Sequence, residues 1–146
     1  MRDFRESLVV ALKRHEGFSH VPYTCSAGFL TIGYGHNLSE GISIETAEHL
    51  LAEDIDVVLQ ELTANKPFWI MMPLDVRLVI ANMCFNLGWP KFKLFMKFWA
   101  AVESGDFVLA AKEMRDSLWF HQVGRRGIEL ANIMEQIGGI SGSIKI

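Results

Sequence analysis

An α+β fold is predicted by three features of the 146-residue sequence. An amphipathic helical pattern occupies the N-terminus. A glycine-punctuated run of short β-branched and aromatic pieces follows over residues 18–38. From residue 44 onward the chain reads as helix almost throughout. Together they predict a small N-terminal lobe with a short antiparallel sheet, a long connecting helix and a helical C-terminal lobe. The length suits a single domain, residues 1–146, with the N-terminal lobe at about 15–60 and the C-terminal lobe at about 64–140.

The first helix, residues 2–15, follows from Phe4, Leu8 and Leu12 at four-residue spacing with charges between them. Asp3 suits its N-cap and Gly17 its C-terminal stop. Glu16 therefore falls at the negative end of the helix dipole. That is a poor place for a structural carboxylate and a useful one for an acid that must hold a proton. In residues 18–38, Thr31-Ile32 reads as a strand, and Gly33 and Gly35 imply tight turns or close backbone approach. Ser43 is the expected N-cap of a helix over 44–63. Its apolar stripe is Ala47, Leu50, Leu51, Ile55, Val58, Leu59 and Leu62. Residues 64–72 read as a connection. Pro73 then opens a helix that buries Val76, Val79, Ile80, Met83, Cys84 and Leu87 and stops at Gly88. Residues 91–103 read as one aromatic-rich helix, and Asp106 caps another over about 107–117. Trp119 to Gly124 is expected to be a turn and Arg125 to Ile137 the last helix, with Gly138-Gly139 and the tail frayed.

Half of the residues are apolar, so a sizeable core is expected and disorder is not. No apolar run approaches the roughly 18–20 residues needed to cross a bilayer. The N-terminus lacks the pattern of a secretory signal. A chain made in the cytosol, without stable membrane insertion, is expected. The first 66 residues carry 5 basic and 10 acidic side chains, and the remainder carry 9 and 7. The mildly basic second half suits a polyanionic surface at most, and nucleic acid is not an expected partner. Two cysteines, Cys25 and Cys84, make no disulfide framework. Cys84 lies on an apolar helix face and reads as core.

Glu16, Cys25 and Thr31 form the candidate chemistry, with eight residues between the first pair and five between the second. Glycoside hydrolysis needs a proton donor to the leaving oxygen and a second group on the opposite face, to attack the sugar or to orient water. The spacing alone is weak evidence. A metal site is the rival reading, because His15, His20, Cys25 and His36 fall within 22 positions. Their spacings match no tight ligand pair, so no metal is expected.

The stretch is longer than this trio. Glu16-Gly17, Tyr23, Cys25 and Thr31-Ile-Gly-Tyr-Gly-His36 together resemble the active-site signature of phage-type lysozymes, the endolysins of glycoside hydrolase family 24. The match is to the subset with Cys in place of the catalytic Asp. Asn82, Phe85 and Gly88, the helix 44–63, and Trp119, Gln122, Arg125 and Arg126 extend the resemblance over roughly residues 3–137. It implies a lysozyme-like fold with the first helix packed on the C-terminal lobe. It also implies cleavage of the β-1,4 bond between N-acetylmuramic acid and N-acetylglucosamine in peptidoglycan. Glu16 would be the general acid. Cys25 would be a nucleophile or a water-positioner, and Thr31 would hold that water or the thiol. Asn37, Phe85 and Asn86 would contact substrate, with Trp119 in the core. His36 and Asp54 would form a structural pair. No cofactor or metal is implied. The expected protein is a monomer in the host bacterial cytoplasm. It would reach the wall through a holin-made membrane lesion and lyse the host. The alternative is a non-catalytic peptidoglycan-binding module on the same fold.

Overall fold

The computed structural model describes residue 1 and residues 3–144. The fold is α+β, mostly helical, with one three-stranded antiparallel sheet near the N-terminus. The chain divides into two compact units, residues 1–50 and 51–146. The division falls inside one long helix, α2, Ile44–Asn65.

The first unit begins with α1, Phe4–Glu16. The Asp3 carboxylate accepts the Glu6 N–H at 2.8 Å, satisfying one of the free donors of the first turn. Lys13, Arg14 and His15 fill the last turn, where the dipole favours positive charge. Gly17, at φ 69°, ends the helix as expected. The sheet follows as β1 (Ser19–Thr24), β2 (Leu30–Gly33) and β3 (His36–Asn37), in that spatial order. Tyr23 pairs with Thr31, and Thr31 with Asn37. Pro22 falls in an edge strand, where the ladder is irregular between Ser19 and Tyr23; a missing N–H is tolerated there. Ser43 caps α2, its Oγ accepting the Thr46 N–H at 3.1 Å.

The second unit takes the rest of α2 and then α3 (Leu74–Leu87), α4 (Trp89–Phe92), α5 (Met96–Glu103), α6 (Phe107–Arg115), α7 (Leu118–Val123) and α8 (Arg125–Ile144). Its core joins Leu62, Val79, Ile80, Met83, Phe92, Phe98, Val102, Met114 and Met134, all essentially inaccessible. Each such side chain contributes roughly 1.5–3 kcal/mol by leaving water. Cys84 is buried among them, as its apolar helix face predicts. Burial first, and the Glu61 carboxylate second, push its thiol up to about 11. Among the described residues no helix is long and apolar enough to cross a membrane.

The connection 64–72 holds a 3-10 turn, Pro67–Met71. Three expectations of element are corrected. The aromatic helix 91–103 is two helices broken at Lys93–Phe95. At the break the Phe92 carbonyl accepts the Phe95 N–H at 3.1 Å and the Trp99 indole N–H at 3.0 Å instead of an i+4 partner. The expected turn 119–124 is α7, because Ser117 Oγ accepts the Phe120 N–H and starts a helix there. Finally, α8 runs through Gly138-Gly139 to Ile144, with residues 145–146 outside the described residues. Gly138 is a packing residue: a Cβ on it would lie 2.7 Å from the Val108 backbone nitrogen, so its bareness lets α8 lie against the start of α6.

Candidate active site

The candidate chemistry sits in the first unit. Glu16 is the last residue of α1, exposed, and followed at once by the turn at Gly17. Cys25 follows β1 directly and opens the hairpin to β2. Its N–H donates to the Phe29 carbonyl at 2.9 Å, and its own carbonyl accepts the Gly28 N–H at 2.9 Å. Gly28, at φ 88°, makes the reversal that a residue with a side chain would resist.

The groups of this hairpin favour the ionised form of the thiol. The Phe29 N–H is the strongest, then the Thr31 hydroxyl, then the Ala27 N–H, with the Gly28 N–H adding less. They hold the Cys25 thiol below its ordinary value, against a smaller opposing effect of desolvation. Thr31 lies in the central strand, is 4% exposed, and is the buried polar residue of this chain's described part. Its Oγ donates to the Phe29 carbonyl at 2.9 Å. A hydroxyl has one proton and can turn, so Thr31 either serves Phe29 or stabilises a Cys25 thiolate.

The β2–β3 turn, Tyr34-Gly35, lies against the end of α1. Lys13 Nζ is 5.2 Å from the Tyr34 ring centre, and the Phe18 ring is 5.1 Å from the same ring. Glu16 occupies the space that a side chain at Gly35 would need. The structure thus brings Cys25 and Thr31 together around one hairpin and Glu16 together with Gly35.

A family model described as phage lysozyme matches residues 13–133. The chain belongs to the phage lysozyme family. It is 37% identical over 93 residues to an endolysin of Acyrthosiphon pisum secondary endosymbiont phage 1, covering 60% of this chain and 61% of that one. It is 26% identical over 154 residues to a probable T4-type lysozyme 1 of Dictyostelium discoideum, covering 85% of this chain and 91% of that protein. Similarity at 24% identity also extends to the pre-baseplate central spike protein Gp5 of Enterobacteria phage T4, where 88% of this chain matches 27% of that one. The chain therefore spans less than two thirds of the length of the endolysin and of the spike protein.

The remaining predicted residues of this phage lysozyme family member are placed as follows. Asn37 Oδ1 accepts the Ser39 N–H at 2.9 Å, which leaves its amide NH2 for another partner. His36 Nε2 lies 2.9 Å from the Gly41 carbonyl oxygen, a bond within the first unit. Asp54 is on α2 in the second unit. There Phe85 is 41% exposed and borders an open apolar groove of about 450 Å³ with Leu51, Ile55, Leu78, Asn82 and Arg126. Asn86 Oδ1 accepts the Trp119 indole N–H at 2.8 Å, and Trp119 is core, as expected. Among the described residues no three His, Cys, Asp or Glu side chains gather as a metal set. The donors that favour the Cys25 thiolate and the place of Lys13 over the Tyr34 ring were not legible beforehand. The glycine punctuation of residues 18–38 marks the turns that create them.

Proposed function

We propose that this chain is a muramidase of the Cys-bearing subset of its family, hydrolysing the β-1,4 bond between N-acetylmuramic acid and N-acetylglucosamine in peptidoglycan. The observation that carries the reading is the Cys25–Thr31 pair in a hairpin of N–H donors, in the same unit as a carboxyl group at a helix end. Glu16 in its acid form gives its proton to the glycosidic oxygen as the C1–O bond breaks. A water attacks C1 from the other face and passes a proton to the Cys25 thiolate.

Water activation is favoured over attack by sulfur on chemical grounds. A sulfur–C1 bond would have to be hydrolysed in a second step, and a thioether sulfur is a weak base toward Glu16. With its proton on the Phe29 carbonyl, the Thr31 hydroxyl presents lone pairs. Thr31 and the thiolate then accept the two hydrogens of one water. Direct displacement by water inverts the anomeric carbon. The free amide NH2 of Asn37 and, in the second unit, the exposed ring of Phe85 and the amide of Asn86 are assigned to sugar contacts. Host lysis follows once a holin-made lesion gives access to the wall.

Turbidity of outer-membrane-permeabilised bacteria tests the activity. Clearing of the suspension is expected. Sedimentation of the protein with the walls, without clearing, would instead identify a non-catalytic wall-binding module.

A further inference from the structure

We propose that Gly35 is a positioning residue for the Glu16 carboxyl group, an inference that rests on the proposed role of Glu16 as the acid. A Cβ built on Gly35 would lie 2.6 Å from Glu16 Oε2, 2.9 Å from Cδ and 3.2 Å from Cγ. All three distances fall below ordinary van der Waals contact, and all three atoms belong to the carboxyl end of one side chain. The acid therefore rests in the space left by an absent side chain, and any other residue at position 35 displaces it.

The wall on which it rests is held in place. Tyr34, next in the chain, carries Lys13 Nζ over its ring and Phe18 beside it. His36, on the other side, is tied to the Gly41 carbonyl and lies in the ladder opposite Ile32. The turn cannot retreat from an added methyl without breaking these contacts. Glu16 can move, because it is exposed at the end of α1. The methyl would thus displace the acid and leave the turn in place.

Gly33 is a matched control two residues away. It also has positive φ, 68° against 78° for Gly35, so alanine strains the backbone at both. A Cβ at Gly33 meets nothing within 4 Å. Strain is common to the two positions, and displacement of Glu16 belongs to one.

The test compares Gly33→Ala and Gly35→Ala, each checked for folding by circular dichroism and thermal melting. Both are expected to melt earlier, by similar amounts. Gly35→Ala is expected to lose about 100-fold in kcat on peptidoglycan with KM little changed, the effect of misplacing a reacting group by about an ångström. Gly33→Ala should keep kcat within about threefold. The second readout is the carboxyl carbon resonance of Glu16 in carbon-13-labelled protein. It should shift in Gly35→Ala and not in Gly33→Ala. Adding Glu16→Asp, which draws the acid back by one methylene, should cost less in the Gly35→Ala background than in the wild type.

Equal kcat losses in the two alanine variants, or an unmoved Glu16 resonance in folded Gly35→Ala, would overturn the proposal. A wild type that cleaves nothing, with the resonance shift confined to Gly35→Ala, would sink the role of Glu16 as the acid while leaving its dependence on Gly35 intact.

Discussion

Glu16→Gln should fold as the wild type does and lose about 10²–10⁴-fold in kcat, the usual worth of a positioned general acid. The substitution keeps the size of the side chain and removes the proton that the leaving oxygen needs. Glu16 is exposed and forms no part of the core, so its replacement leaves the melting temperature within a few degrees. KM should change little, because the amide fills the space on Gly35 that the carboxyl filled. The measurement is the rate of soluble fragment release from purified peptidoglycan, with melting curves alongside. Activity within tenfold of the wild type would remove Glu16 from the chemistry.

Position 25 carries the second large effect. Cys25→Asp should retain activity within about tenfold, since a carboxylate replaces the thiolate as acceptor for the water. Cys25→Ser and Cys25→Ala should both fall by about 10²-fold or more, because neither offers a basic group near neutral pH. The titration of the thiol is a separate check. Thiolate formation at Cys25 should have a midpoint below that of an ordinary thiol, because the Phe29 and Ala27 N–H groups stabilise the anion. Alkylation of the native protein should follow the same curve at Cys25 and spare the buried Cys84. A serine variant as active as the wild type would mean that polarity alone suffices. A sugar adduct found on Cys25 by mass spectrometry would mean that sulfur attacks the anomeric carbon.

The legible parts of this fold are those whose causes are local. Asp3, Ser43, Pro73 and Asp106 mark helix starts because a cap or a fixed φ acts within one turn. Gly17 and Gly88 mark helix ends for the same reason. The sheet was legible from glycine punctuation and from Thr31-Ile32. What escaped depends on partners far away in the chain. Gly138 looks like a stop until Val108 is seen to press against it. The break at Lys93–Phe95 contains neither glycine nor proline, and there the Phe92 carbonyl accepts from the distant Trp99 indole. The candidate site divides in the same way. The residue types at 16, 25 and 31 were legible from spacing and resemblance. The N–H donors at the thiol and the fit of Glu16 on Gly35 arise only when the hairpin and the turn close.

The central claim is the bond that is cut. Purified peptidoglycan should be digested to completion with the wild-type protein, the fragments reduced with borodeuteride, and the labelled sugars identified by mass spectrometry. The account predicts label on N-acetylmuramic acid at the new reducing ends. Label on N-acetylglucosamine, or fragments bearing no new reducing end, would contradict it.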